Sequence, residues 1–206
     1  MAGGLPYGCG VDQQTLDFYQ QRASEWAAAL PAAWSPQLDG FLDLLPPGAS
    51  IVELGCGDGR DAARMTARGF DAHPSDGSSA MALLASERLG RPVPVMRFNE
   101  LVAMEAFDAV WCQASLLHLP EDALPGVLSR IHRALRAGGL HWASYKDGTG
   151  GSRDKFGRFF SYLPADRLEA AYRNAGTWAE LSIGTHREGS SFGGGPTVWH
   201  HVLARK

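Results

Sequence analysis

Cysteine is scarce in this chain: among 206 residues only Cys9, Cys56 and Cys112 occur. The set is odd in number and scattered, with no metal-ligand spacing. It excludes a disulfide framework and gives no reason to expect a metal, so the three read as reduced thiols of a cytoplasmic protein. No apolar run approaches the roughly 18 residues of a membrane span. The first ten residues, MAGGLPYGCG, lack the basic-then-apolar order of a secretory signal and read as a loose terminus. No block of five or six basic residues appears either. With 19 Lys and Arg against 22 Asp and Glu, the formal net charge is −3, which makes DNA and RNA poor partners. There is no internal repeat and no linker. What remains is 45% hydrophobic and 20% charged, enough apolar material for one globular domain over residues 1–206.

What the chain does have is alternating periodicity. Leu16, Tyr19, Ala23, Trp26, Ala27 and Leu30 recur at helical spacing, which predicts a helix over Thr15–Leu30. Ser35-Pro36 starts a second, short helix as a cap followed by proline. Its face is Leu38, Phe41, Leu42 and Leu45, and Pro46-Pro47-Gly48 stops it. Together these form an N-terminal helical cap over about 12–45. The sheet core, 50–206, then alternates. SIVELG, FDAHPSD, VPVMRF, FDAVWCQ and LHWASYK read as strands, and 60–68, 79–89, Glu121–Arg136 and 164–175 as helices. WAELSIG and TVWHHVLA follow with no helix between them, joined by a loop containing FGGGP. Seven strands in this order predict an α/β fold: a mostly parallel sheet with helices on both faces and a C-terminal antiparallel hairpin.

The stretch IVELGCGDGRDAARM, from Ile51, ends an apolar run in an acid, Glu53, and follows it with Gly55, Gly57 and Gly59. In an open parallel sheet the turn after the first strand lies at the carboxyl edge, where ligands bind. Glycines there let backbone N–H groups approach a ligand, and the next helix points its positive end at the same spot. A dinucleotide site has G-x-G-x-x-G, but three residues past Gly57 stands Arg60, and the pattern is E-x-G-x-G-x-G. A carboxylate two residues ahead of the first glycine repels a pyrophosphate. It suits a ligand that carries an ammonium and a sulfonium.

VELGCGDGRD resembles the first motif of class I S-adenosylmethionine-dependent methyltransferases. Asp76 lies 21 residues beyond Gly55, near where a ribose-binding acid is expected. FDAVW resembles that family's fourth strand and LRAGGLHWASYK its fifth strand with the turn before it. The closing helix and two strands agree as well, so the resemblance spans about residues 50–206. Within the family the chain looks most like small bacterial enzymes of the small-molecule or tellurite-resistance type. The resemblance implies a Rossmann-like sheet, S-adenosylmethionine as cofactor and S-adenosylhomocysteine as product. It places Glu53, Gly55 and Gly57 at the methionine end; Cys56 in the same loop and Arg60 in the first helical turn, within reach of the cofactor carboxylate, are further cofactor-binding candidates. Asp76 and Gly77 fall at the ribose, Asn99, Glu100 and Leu101 at the adenine, and Gln113 at the methionine amino group. Asn99 stands where an acid is common, and Pro74 is a further departure. Plainer readings stay open beside these. Asp76 also suits a turn or helix cap before Ser78, Arg60 a solvent-facing side chain, and Tyr19 simple packing.

Methyl transfer from a sulfonium needs alignment and a dry site, and a general base only where the nucleophile enters protonated. The acceptor side therefore carries few diagnostic residues. After the fourth strand, QASLLH lacks the [DNS]-P-P-[FYW] turn of enzymes that methylate base amino groups, and Cys112 falls inside a strand, away from where a base-carbon nucleophile stands. A small-molecule acceptor is expected, with no nucleic acid or membrane partner, for a monomer or homodimer. His118, Asp154 and Tyr19 are the candidate proton-handling residues. Tyr19, Arg153 and Arg158 are the candidate acceptor-binding residues. Arg153, Asp154 and Arg158 lie in KDGTGGSRDKFGRFFSYLP, from Lys146 to Pro164, which reads either as a solvated loop or as a lid. The lid would order when cofactor product binds, and its arginines would hold an anionic acceptor. Two other functions stay open: a non-catalytic module that binds S-adenosylmethionine, and a Rossmann-like enzyme using another nucleotide such as NAD.

Overall fold

The computed structural model describes residues 12–30, 33–190 and 194–206. Cys9, the N-terminal MAGGLPYGCG and part of the FGGGP loop lie outside them. β1 (Ser50–Leu54), β2 (Asp71–Ser75), β3 (Phe107–Cys112) and β4 (Leu135–Lys146) run parallel in the order β2-β1-β3-β4. Strand order reverses at β1, which has β2 on one side and β3 on the other. The pleat explains the two covered faces, because successive side chains point to opposite sides. Ile51, Ala109 and Trp111 join Leu38, Phe41, Leu42 and Met65 on one face. Val52, Leu54, Val110 and Cys112 join Leu124, Leu128, Ile131 and Leu168 on the other. The first face is covered by α2 (Leu38–Leu42) and α3 (Arg60–Ala67), and the second by α5 (Leu124–Ala134) and α6 (Ala165–Ala175). Truncating one of these buried leucines to alanine costs about 2–5 kcal/mol.

At the far edge, β8 (Gly194–Arg205) pairs antiparallel with both β4 and β7 (Glu180–Ser190). The C-terminal hairpin is therefore as expected. Among the described residues, however, the sheet has eight strands rather than seven. VPVMRF is not a strand. Pro92 and Pro94 remove two ladder donors, and only Asp76 and Val95 form a parallel bridge. In its place the segment after β4 supplies β5 (Gly150–Arg153) and β6 (Phe159–Tyr162), an antiparallel hairpin that meets β4 at Lys146 and Tyr162. This segment is thus a paired hairpin and not a solvated loop. Its turn is closed by Asp154 Oδ1, which accepts from the backbone N–H groups of Phe156 at 2.9 Å and Arg158 at 3.0 Å. The LRAGG turn is likewise drawn into β4, with a register shift against β3 between Phe107 and Ala109.

α1 (Gln13–Ala29) lies over the carboxyl edge and is pinned at several points. Asp12 caps it by accepting from Thr15 N–H at 2.9 Å. Thr15 Oγ1 accepts from Phe159 N–H at 2.8 Å, which ties the helix to β6. Gln20 Oε1 accepts from Ser78, Ser79 and Ala80 at the start of α4 (Ser79–Leu89). Such side-chain capping satisfies N–H groups that the helix leaves free. Arg22 has non-helical angles and kinks α1, so its second half turns down over the glycine loop.

Candidate active site

A cavity of about 560 Å³ opens at the carboxyl ends of β1, β2 and β3, beneath α1. Its floor is the loop that follows Leu54. Gly55 and Gly57 hold φ of +80° and +56°, a region that residues with a Cβ rarely adopt. A Cβ on Gly55 would stand 2.6 Å from Ser115 Cβ, and one on Gly57 3.1 Å from the Trp26 ring. Backbone therefore forms this wall. Cys56 lines it too, with burial pushing its thiol well above the ordinary range, so it is not a reactive thiolate.

Four carboxylates stand around this loop, and they differ in how well they are satisfied. Asp58 forms a bidentate pair with Arg60, both bonds 3.0 Å, and a third bond with Arg88 at 2.7 Å. Asp61 accepts from Ser35 N–H at 2.8 Å and from the Trp111 indole at 2.9 Å. Asp76 has only Gly57 N–H at 2.9 Å and Ser78 N–H at 2.8 Å, one on each oxygen. Burial raises its pKa to about 6. It is not the cap of α4, a place taken by Ser78. Glu53 is the least satisfied. It is 3% exposed, and its Oε2 has no hydrogen-bond partner. Burial first, and then Asp61, Asp76 and Asp58, push its pKa well up, against one backbone bond from Ala62. A buried carboxyl without partners is costly. A cation brought beside it relieves that cost, whereas a pyrophosphate would add to it. Arg60 lines the cavity, but its guanidinium is held by Asp58.

The next wall departs from expectation. Met96, Arg97 and Phe98 line the cavity, while Asn99, Glu100 and Leu101 do not. Leu101 is 3% exposed in the core, and Glu100 turns back to accept from Arg97 N–H at 2.7 Å. The cause is the loss of the third strand: the chain leaves the sheet at Val95, and the residues at the edge come correspondingly earlier. Gly77 lines the cavity opposite Leu16, which a Cβ there would approach to 3.2 Å. Gln113 lines it as well, and its Oε1 accepts from the Trp142 indole at 3.2 Å. An indole N–H can only donate, which fixes the amide and leaves its NH₂ as the remaining group. The Gln113 side chain therefore suits a carboxylate better than an ammonium.

At the other end Tyr19 of α1 meets His118. His118 Nδ1 lies 2.6 Å from the Phe159 carbonyl. A carbonyl only accepts, so Nδ1 carries the proton and Nε2 is the acceptor, 3.0 Å from the Tyr19 hydroxyl. Tyr19 in turn accepts from Arg158 Nη1 at 3.2 Å. Burial holds His118 neutral, lowering its pKa to about 4, so Nε2 is unprotonated at neutral pH and accepts from Tyr19. Of the other acceptor-side candidates, none reaches the cavity. Asp154 bonds Arg158 through Oδ2 at 2.7 and 2.9 Å, and Arg158 is 7% exposed. Arg153 forms a bidentate pair with Asp12 at 2.7 and 2.8 Å on the outside of α1. The expected arginine clamp for an anionic acceptor is therefore not what these residues form, because both cations are occupied by acids. Trp26, Met81, Ser115 and Trp199 line the cavity without having been singled out as site residues. The shared helical face of Tyr19 and Trp26 was the one available signal. Among the described residues no group of three or more His, Cys, Asp or Glu could hold a metal, and no helix is long and apolar enough to cross a membrane.

A parallel sheet reversing at its first strand, with a glycine loop and an acid on each of the first two strand ends, is the arrangement that the resemblance to class I methyltransferases leads one to expect. Residues 51–139 match the family model described as a methyltransferase domain. A curated relative, trans-aconitate 2-methyltransferase of Deinococcus radiodurans, is 33% identical over 97 residues, covering 46% of this chain and 36% of that protein. The chain thus matches little more than a third of the relative's length. Among solved structures, Burkholderia thailandensis 1,6-didemethyltoxoflavin-N1-methyltransferase, with 1,6-didemethyltoxoflavin and S-adenosylhomocysteine bound, is similar at TM-score 0.72 and 22% identity. That match covers 94% of this chain and 86% of the other. The [4+2]-cyclase SpnF matches at TM-score 0.68 and 19% identity over 100% and 99% of the two chains. At these identities the likeness establishes the fold.

Proposed function

We propose that the protein is a methyltransferase that takes S-adenosylmethionine in this cavity and methylates a small molecule. The observation that carries the reading is the pair of under-satisfied buried acids, Glu53 and Asp76, facing each other across a loop of bare backbone. Glu53 suits an ammonium. Asp76, with one N–H on each oxygen, keeps a lone pair on each for ribose hydroxyls. Gln113 offers its NH₂ to the cofactor carboxylate. Bound there, the cofactor supplies an activated methyl group. An NAD-type ligand fits the same wall poorly, since its pyrophosphate would face carboxylates, with Arg60 already spent on Asp58.

The chain's own residues then have two tasks. α1, through Leu16, Tyr19 and Trp26, covers the cavity and excludes water. Tyr19 and His118 handle a proton: an acceptor O–H or N–H donates to the Tyr19 oxygen, and the tyrosine proton passes to His118 Nε2. Arg158 keeps the tyrosine oriented. A covered cavity of about 560 Å³ falls within the roughly 300–1,000 Å³ of small-ligand sites, which supports a small acceptor. The acceptors named for the relatives, trans-aconitate and 1,6-didemethyltoxoflavin, are small too. The tellurite-resistance resemblance rests on the sequence alone. Incubation with methyl-labelled S-adenosylmethionine and a panel of hydroxylated, carboxylated and heterocyclic metabolites tests the reading. Label transfer that disappears in Tyr19→Phe and His118→Gln supports it. Tight cofactor binding with no transfer to any member would favour the non-catalytic module.

A further inference from the structure

The turn that ends β3 is strained. Ala114 holds φ of +48°, a region that residues with a Cβ rarely adopt and keep only where their surroundings hold them in it. The strain has a use. Along an extended strand every second side chain faces one side, yet Gln113, Ala114 and Ser115 line the cavity in succession. The left-handed residue is the break that brings all three there. Ser115 then presses on the glycine loop, its Cβ 2.6 Å from where a Cβ on Gly55 would stand.

Two side chains of β4 hold this break. Trp142 and Ser144 lie two positions apart and share one face of the strand. Trp142 Nε1 donates to Gln113 Oε1 at 3.2 Å, and Ser144 Oγ accepts from Ala114 N–H at 2.7 Å. Ser144 is fully buried and stands opposite His201 of β8. The His201 ring also packs against Trp142, with centroids 4.9 Å apart, so the next strand backs both holds. Ser144 does not itself line the cavity, and its effect on a ligand passes through the turn.

Resting on the cofactor reading above, we propose that Ser144 is a positioning residue for the methionine end of the cofactor. Its hydroxyl keeps Ala114 in the left-handed region and so sets where Gln113 and Ser115 stand against the glycine loop. Without the hydroxyl, Ala114 relaxes toward an ordinary φ and these residues leave their places. A glycine at 114 adopts the left-handed region without strain, so it should hold the turn even when the serine is gone. Calorimetric titration with S-adenosylhomocysteine tests this on the wild type, on Ser144→Ala and on Ser144→Ala combined with Ala114→Gly, with melting curves to check that each is folded. Binding should weaken about tenfold in Ser144→Ala, within the range for a buried N–H that loses its partner. In the double variant it should return to within about threefold of the wild type, a coupling that independent sites do not show. A serine that serves stability alone would lower the melting curve and leave affinity unchanged. Unchanged affinity in Ser144→Ala, or a loss that the glycine does not restore, overturns the proposal. If Ser144→Ala does not fold, Ser144→Cys, with a weaker acceptor in its place, enters the same pair of measurements. If the wild type binds no S-adenosylhomocysteine, the cofactor reading itself fails, and the proposal with it.

Discussion

The two walls of the cavity are built in opposite ways. One comes from a single stretch, Glu53 to Asp76, in which a strand, a loop, a helix and a second strand bring two acids together. The other is assembled from α1, the loop after β3 and the hairpin β5–β6. There Tyr19 meets partners 99 and 139 positions away. The difference separates what the walls do. The first presents a buried carboxyl with one unpartnered oxygen, a second buried acid and bare backbone. The second is closed on itself, with Arg158, Tyr19, His118 and the Phe159 carbonyl each supplying what its neighbour lacks. On this account, damage to the first wall should reduce binding, and damage to the second should reduce turnover.

The largest effect is expected on the second wall. His118→Ala removes the acceptor of the Tyr19 proton, and turnover on an acceptor that enters protonated should fall about 10²–10⁴-fold. S-adenosylhomocysteine affinity should stay within about threefold. Equal losses of turnover and affinity, measured side by side, would erase the distinction between the walls. Asp76→Ala comes next. It removes hydrogen bonds to a charged group, so binding of S-adenosylhomocysteine should weaken by about 1–3 kcal/mol. Full affinity in a folded variant would sink the ribose assignment.

A third prediction uses pH. In the folded protein burial disfavours the Asp76 ion, so its carboxyl holds a proton up to about pH 6, above the usual aspartate value. A ligand that needs the carboxylate must displace that proton. Below about pH 6 the free protein is the more protonated state, so affinity should rise as pH climbs through 6 and then level off. Asp76→Asn should flatten the rise. A profile that falls over the same range would reverse the assignment. The smallest effect belongs to Arg153. Its pair with Asp12 lies on the outside of α1, and a part-exposed ion pair contributes about 0–1 kcal/mol. Arg153→Ala should leave turnover nearly unchanged and lower the melting point by a few degrees at most. A large loss of turnover would restore this residue to the acceptor site.

How far the sequence could be read follows the same division. The spacing from Glu53 to Asp76 is local, and strand and helix periods place those residues on one edge without further information. The alternation of β and α and the final hairpin were legible for that reason. Two prolines decided the strand that was expected and is not there. Pro92 and Pro94 could be weighed only against a partner strand, and that register is long-range. Their effect moved the cavity-lining residues of this segment from Asn99–Leu101 to Met96–Phe98. The hairpin β5–β6 was hidden because glycines and charges dominate its sequence, while its pairing comes from FFSY and from the Asp154 turn. Arg153, Asp154 and Arg158 carried the right residue types for an anion site, yet their partners, Asp12 and one another, neutralise them. Side-chain pairing across 141 positions leaves no local trace.

The central claim is that Glu53 and Asp76 define a site for the cationic methionine end and the ribose of S-adenosylmethionine. Calorimetric titration of the wild-type protein with S-adenosylmethionine, S-adenosylhomocysteine and NADH at pH 7 tests it most directly. The account predicts one-to-one binding of the first two and none of NADH. Binding of NADH with no response to either S-adenosyl ligand would contradict it.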